Sequence, residues 1–212
     1  MNAQTQRRQI AGPAGEIECA LDEPTLADGQ ALRGVVVICH PNPTQGGTMD
    51  NKVVQTVARG FLQLGYRTVR FNFRGIGQSQ GGWDEGRGEV DDALAVVEAF
   101  RDPALPLALA GFSFGGFVAS QTALRLTDPA ERLLLVGPAA SRFGVATVPP
   151  TTVVIHGEQD DVVPLTAVLD WARPQALPVI VVPGVGHFFH GQLPLLKNLV
   201  LRSWHPAGTP PA

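Results

Sequence analysis

Short apolar runs rich in β-branched residues recur along this chain, and segments with helical periodicity separate most of them. This pattern confines it to a largely parallel α/β sheet with helices on both faces. The clearest run is Gly34-VVVIC, unbroken by polar residues, as expected of a strand covered on both sides. Further strands are expected over 66–73, 105–110, 133–136, 152–155 and 179–182. Helices are expected over 50–64, 89–101, from the glycines after residue 110 to about 126, near 165–172 and near 195–204. Residues 9–24 depart from the pattern and read as two strands around the turn Gly12-Pro13-Ala14-Gly15, an antiparallel edge. That gives about eight strands in a mostly parallel sheet. In such sheets ligands bind beyond the carboxyl ends of the strands, which directs attention to the strand-end loops.

Composition narrows the function classes. With 44% apolar and 17% charged residues, and 16 basic against 19 acidic giving a net charge of −3, the chain lacks the electropositive surface that nucleic acid requires. Its 212 residues suit a single domain, with a loosely held tail at 206–212. The N-terminus has no apolar segment of a secretion signal and no run nears 18 apolar residues, so neither export nor a membrane partner is expected and the cytoplasm is the default location. Cys19 and Cys39 sit in apolar stretches and read as small buried hydrophobes rather than a disulfide.

The chemistry centres on Gly111-Phe112-Ser113-Phe114-Gly115, which follows the apolar run LPLALA and opens a helix. A sharp strand-to-helix turn projects its serine from the sheet edge, with glycines relieving the crowding around it; the alternative is a serine that merely caps the helix. A serine hydroxyl needs a base to remove its proton and an acid to orient that base. Of the five histidines, His187 lies in a Gly-containing loop directly after a strand, with His190 as its rival; His40 and His156 precede the acid, and His205 falls in the tail. Glu158, Asp160 and Asp161 follow the strand before it, and Asp160 is the preferred acid. Two donors must face the developing oxyanion. Phe114, next to the serine, offers its backbone N–H, and in His40-Pro41-Asn42-Pro43 the prolines have none to offer, so the second donor is Asn42. Phe112, Trp83, Phe143 and Phe188 are candidate pocket residues, although aromatics more often fill a core.

Other motifs fall short. Residues 72–81 lack the third glycine of a dinucleotide fingerprint, residues 46–52 lack the hydroxyl residue that closes a phosphate loop, and His187 with His190 has no third metal ligand at a telling spacing.

The segments HPNP with GGTMDNKVV (40–54), NFRGIGQSQG (72–81), GFSFGG (111–116), HGEQDDVVP (156–164) and GHFFHG (186–191) together resemble the α/β-hydrolase fold. Within it, the chain is similar to small, lidless intracellular serine hydrolases comparable in scale to dienelactone hydrolases, although those use a cysteine nucleophile. Similar proteins often carry a second histidine where Asn42 stands. The resemblance implies hydrolysis of a small carboxylic ester without any cofactor, through an acyl-enzyme on Ser113. Thioesterase or peptidase activity would use the same machinery, and a non-catalytic binding protein could retain the fold. The loop 137–150, where larger relatives insert a cap domain, is too short for one, which implies an open site.

Overall fold

The structure, a computed structural model, describes residues 5–204. The tail 206–212 and His205 lie outside the described residues. Among the described residues, eight strands form one sheet: β1 (Gln6–Gly12), β2 (Gly15–Asp22), β3 (Gly34–Cys39), β4 (Tyr66–Phe71), β5 (Leu107–Phe112), β6 (Arg132–Val136), β7 (Val153–Gly157) and β8 (Val179–Val182). Their spatial order is β1-β2-β4-β3-β5-β6-β7-β8. The hairpin β1–β2 joins β4 antiparallel, and from β4 to β8 every pairing is parallel. Among the described residues, four helices connect strands, α1 (Lys52–Gln63), α2 (Arg87–Phe100), α3 (Phe114–Arg125) and α4 (Leu165–Ala172), and α5 (Leu193–Ser203) follows β8.

Because successive strand residues point to opposite faces, each central strand feeds two cores. Val35, Val37 and Cys39 of β3 pack with Val90, Val97, Val118 and Val168 from α2, α3 and α4. Val36 and Ile38 face the other way, onto Val53, Val57 and Phe61 of α1 and Leu196 and Val200 of α5. Both cysteines are buried and free, and burial pushes the Cys19 thiol up to about 12.

Boundaries shift where hydrogen bonds compete with pattern. β4 ends at Phe71: Asn72 N–H still bonds the Glu18 carbonyl of β2 at 2.9 Å, but its side chain holds Met49 N–H and Glu18, and the next N–H, that of Phe73, turns away to His40 Nε2 at 3.1 Å. β5 runs on through Gly111, which pairs with Cys39 on one side and Leu135 on the other, and β7 includes His156, opposite Val181. α5 starts at Leu193 with Pro194 in its first turn, where a missing N–H costs nothing.

The chain passes from β3 to β4 on one side and returns to β5 on the other. The sheet therefore reverses direction between β3 and β5, where a crevice opens at the strand ends. The loops carrying Asn42 and Ser113 leave those two strands. Beside them, buried Arg70 of β4 pairs with Asp22 and Asp50 at 3.0 Å each and donates to the Met49 carbonyl, anchoring the segment that leads into α1.

Candidate active site

Ser113 stands between β5 and α3 with φ 57° and ψ −118°, a conformation non-glycine residues avoid and which costs on the order of 1–3 kcal/mol. Tertiary contacts hold it there. Its N–H donates to the Val136 carbonyl at 2.9 Å, and its carbonyl accepts from Gly116 N–H at 2.9 Å and Ala139 N–H at 3.2 Å. The flanking glycines are required by close approach of backbone: a Cβ on Gly111 would lie 2.1 Å from the Gly115 carbonyl oxygen, and one on Gly115 would lie 2.2 Å from that of Cys39. The Ser113 side chain makes no hydrogen bond that caps α3, which sets aside its reading as a helix cap.

His187 lies beyond β8. Its Nδ1 is 2.6 Å from Asp160 Oδ2, with both side chains buried. An acceptor on that side holds the proton on Nδ1 and leaves Nε2 free to accept one. The ring lies against Phe112 at 4.8 Å between centroids and against Phe188 at 5.0 Å. Asp160 is itself fixed, its Oδ1 accepting from Val162 N–H at 2.9 Å and Val163 N–H at 2.7 Å. Burial works to raise its pKa, but the hydrogen bonds from His187 and Val163 N–H outweigh burial and hold the carboxyl below the usual range. His156 sits behind it, with Nε2 3.6 Å from Asp160 Oδ2 and donating to the Val163 carbonyl. Burial lowers the His156 pKa more than the Asp160 charge raises it, so the ring stays neutral and Asp160 keeps its full charge for His187.

Ser113 and His187 line the same cleft, of about 350 Å³, together with Pro41, Asn42 and Phe188. The N–H groups of Asn42 and Phe114 are in no turn, loop or cap hydrogen bond among the described residues, as oxyanion donors must be. The Asn42 loop is stiffened from within, with Asn42 Oδ1 accepting from Thr44 N–H and Oγ1 at 2.9 Å each and its carbonyl from Gly47 N–H at 3.0 Å. It is also pinned from behind. His40, fully buried, donates from Nδ1 to the Pro41 carbonyl at 2.7 Å and accepts from Phe73 N–H at Nε2, 3.1 Å away.

That buried ring has a measurable consequence. Burial lowers the His40 pKa to about 4, against about 6.5 for an unfolded histidine. Between those values the unfolded chain binds the proton and the folded one does not, so stability is lost as pH falls from about 6.5 to about 4, by on the order of 3 kcal/mol. Urea unfolding of wild type and His40→Asn at pH 7 and pH 4 is expected to show a drop about 2–3 kcal/mol smaller in the variant. Equal drops would remove His40 from the account.

The rival residues have other positions. His190 stacks on Phe188 at 5.7 Å, ahead of the start of α5. Glu158 accepts from Gly184 N–H at 2.8 Å and ties the two loops together. Asp161 is exposed at the cleft. Of the four aromatics proposed for the pocket, Phe188 alone lines the cleft. Phe112 is buried beneath His187, while Trp83 packs on Phe114 at 5.2 Å with its ring tilted and Phe143 packs edge-to-face on it at 4.9 Å. Gln45, Asn51, Arg142 and Val162 also line the cleft and have no motif in the sequence to mark them; position in a strand-end loop was the available signal.

Fold and site geometry together define a serine hydrolase of the α/β-hydrolase fold. Residues 30–150 match the family described as serine aminopeptidase, S33, and the chain belongs to that family. It is similar to an α/β serine hydrolase without a lid from Xanthomonas campestris, at 37% identity over 99% of each chain with a TM-score of 0.88. It is also similar to an α/β serine hydrolase homologue from Coxiella burnetii, at 38% identity over 94% of this chain and 97% of that one with a TM-score of 0.82. An uncharacterized protein of Rickettsia prowazekii is 29% identical over 84% of this chain and 79% of its own length.

Proposed function

We propose that the protein hydrolyses small carboxylic esters through an acyl-enzyme on Ser113. In this reading His187 Nε2 takes the Ser113 proton as Oγ attacks the ester carbonyl, and passes it to the departing alcohol. Water then attacks the acyl-enzyme by the same route in reverse. Asp160 holds the tautomer and balances the imidazolium, and the N–H groups of Asn42 and Phe114 stabilise the tetrahedral oxyanion. The observation that carries the reading is the 2.6 Å bond between His187 and Asp160 at the cleft that Ser113 also lines.

A cleft of about 350 Å³ suits esters with short acyl chains. The test is fluorophosphonate labelling, followed by turnover of p-nitrophenyl esters of increasing chain length beside an acyl thioester and an aminoacyl p-nitroanilide. The expected result is labelling at Ser113 and the highest kcat/KM on short esters. Faster cleavage of the thioester or the anilide would reassign the bond, and labelling at another residue would reassign the nucleophile.

A further inference from the structure

Charge and hydrogen-bonding capacity in the cleft are lopsided. Asn42 and Asn51 each commit Oδ1 to backbone N–H groups, Asn42 to Thr44 and Asn51 to Val53 at 2.8 Å as the cap of α1. Those bonds fix which way each amide faces, because only oxygen can accept there, and leave the two NH₂ groups without a partner among the described residues. Gln45 and Arg142 line the same cleft, and neither side chain has a hydrogen bond or ion pair among the described residues. A guanidinium adds five N–H donors and no acceptor. Against these stands one carboxylate, Asp161, also without a partner among the described residues.

Arg142 is exposed, yet its backbone is not free to drift. Its N–H and that of Phe143 both bond the Ala139 carbonyl, at 3.1 and 3.0 Å, and Ala139 N–H bonds Ser113. The Phe143 ring packs on Phe114 and, at 5.1 Å, on Phe117. The arginine is thereby mounted on the same framework as the serine, in the loop where a cap would otherwise be inserted.

We infer that Arg142 makes this protein select esters bearing an anionic group, a carboxylate close to the scissile bond, with the spare amides of Asn42, Asn51 and Gln45 as auxiliary donors. The inference rests on the ester reading above and adds the substrate class. An acceptor-rich anion satisfies several unpaired donors at once, whereas an uncharged alkyl ester leaves the guanidinium hydrated and unused. Asp161 opposes the anion, so its neutralisation should strengthen the preference.

The experiment compares kcat/KM for matched pairs: p-nitrophenyl hemisuccinate against p-nitrophenyl butyrate for a carboxylate on the acyl side, and 4-acetoxybenzoate against phenyl acetate for one on the alcohol side. Each anionic-to-neutral ratio is corrected for the pair's intrinsic hydroxide reactivity. In at least one pair the wild-type ratio is expected to exceed unity by about 5- to 20-fold, to fall by a similar factor in Arg142→Gln, to fall further in Arg142→Glu, and to rise in Asp161→Asn. A corrected ratio at or below unity in both pairs, or the same ratio in Arg142→Gln, overturns the inference while turnover of butyrate upholds the ester reading. Failure to turn over any of the four esters overturns the ester reading instead. The anion preference is then read from protection: glutarate should slow fluorophosphonate labelling of wild type more than of Arg142→Gln, and equal rates in the two proteins overturn it.

Discussion

Ser113→Ala is expected to lower kcat/KM on p-nitrophenyl acetate by on the order of 10⁵-fold and to abolish fluorophosphonate labelling, with little change in thermal unfolding. The activity loss follows because no acyl-enzyme forms without Oγ; any residual rate comes from bound water facing the oxyanion donors. The small stability effect follows from local structure. The Ser113 side chain makes no capping bond, and the strain at φ 57° belongs to the backbone, so alanine inherits it. Substantial turnover by the variant would mean that another nucleophile serves the cleft. A large fall in melting temperature would mean that the hydroxyl holds the turn together.

Asp160→Asn is expected to cost about 10³–10⁴-fold in kcat, and Asp161→Asn less than about 10-fold, on the same ester. The sequence alone leaves the two neighbours nearly equivalent, but the hydrogen bonds separate them. Val162 and Val163 N–H bond Asp160 Oδ1, so an asparagine there must present its oxygen to them and its NH₂ to His187. A donor facing Nδ1 forces the proton onto Nε2, the nitrogen that must accept from Ser113, and the base is disabled by its tautomer. Asp161 has no such partner among the described residues. If the two variants lose activity equally, His187 takes its orientation from some other group.

The central strands were legible from their apolar runs, because strands buried on both faces leave few polar residues to blur them; the helices were legible from periodicity, and the exposed strand β1 from the turn at 12–15. The serine and histidine of the candidate site stand out in the sequence through context, each sitting in a glycine-bearing loop directly after a strand, and the structure brings both to one cleft. The acid was narrowed to one loop, since no other carboxylate follows the intervening strands. The limits of the reading lay in groups whose roles depend on three-dimensional proximity. His40 looked like a histidine in the wrong order and instead pins the Asn42 loop to Phe73. Trp83 and Phe143 looked like pocket walls, and tilted and edge-to-face contacts with Phe114 take them into the packing around α3. Arg142 carried no signal beyond its place in a strand-end loop, because an arginine in a Pro/Gly-rich loop has the same pattern whether it faces solvent or a cleft.

The loop from Gly137 to Pro150 is fastened along its length. Gln121 donates to the Gly144 carbonyl, Trp171 to those of Val145 and Ala146, and Gln175 accepts from Val148 N–H. A segment so tied cannot swing aside at an oil–water boundary, and such swinging underlies interfacial activation. The rate on tributyrin should therefore rise along one hyperbola with dissolved substrate and show no jump where droplets separate. An enzyme built this way draws on molecules already dispersed in water and gains nothing from an emulsified surface.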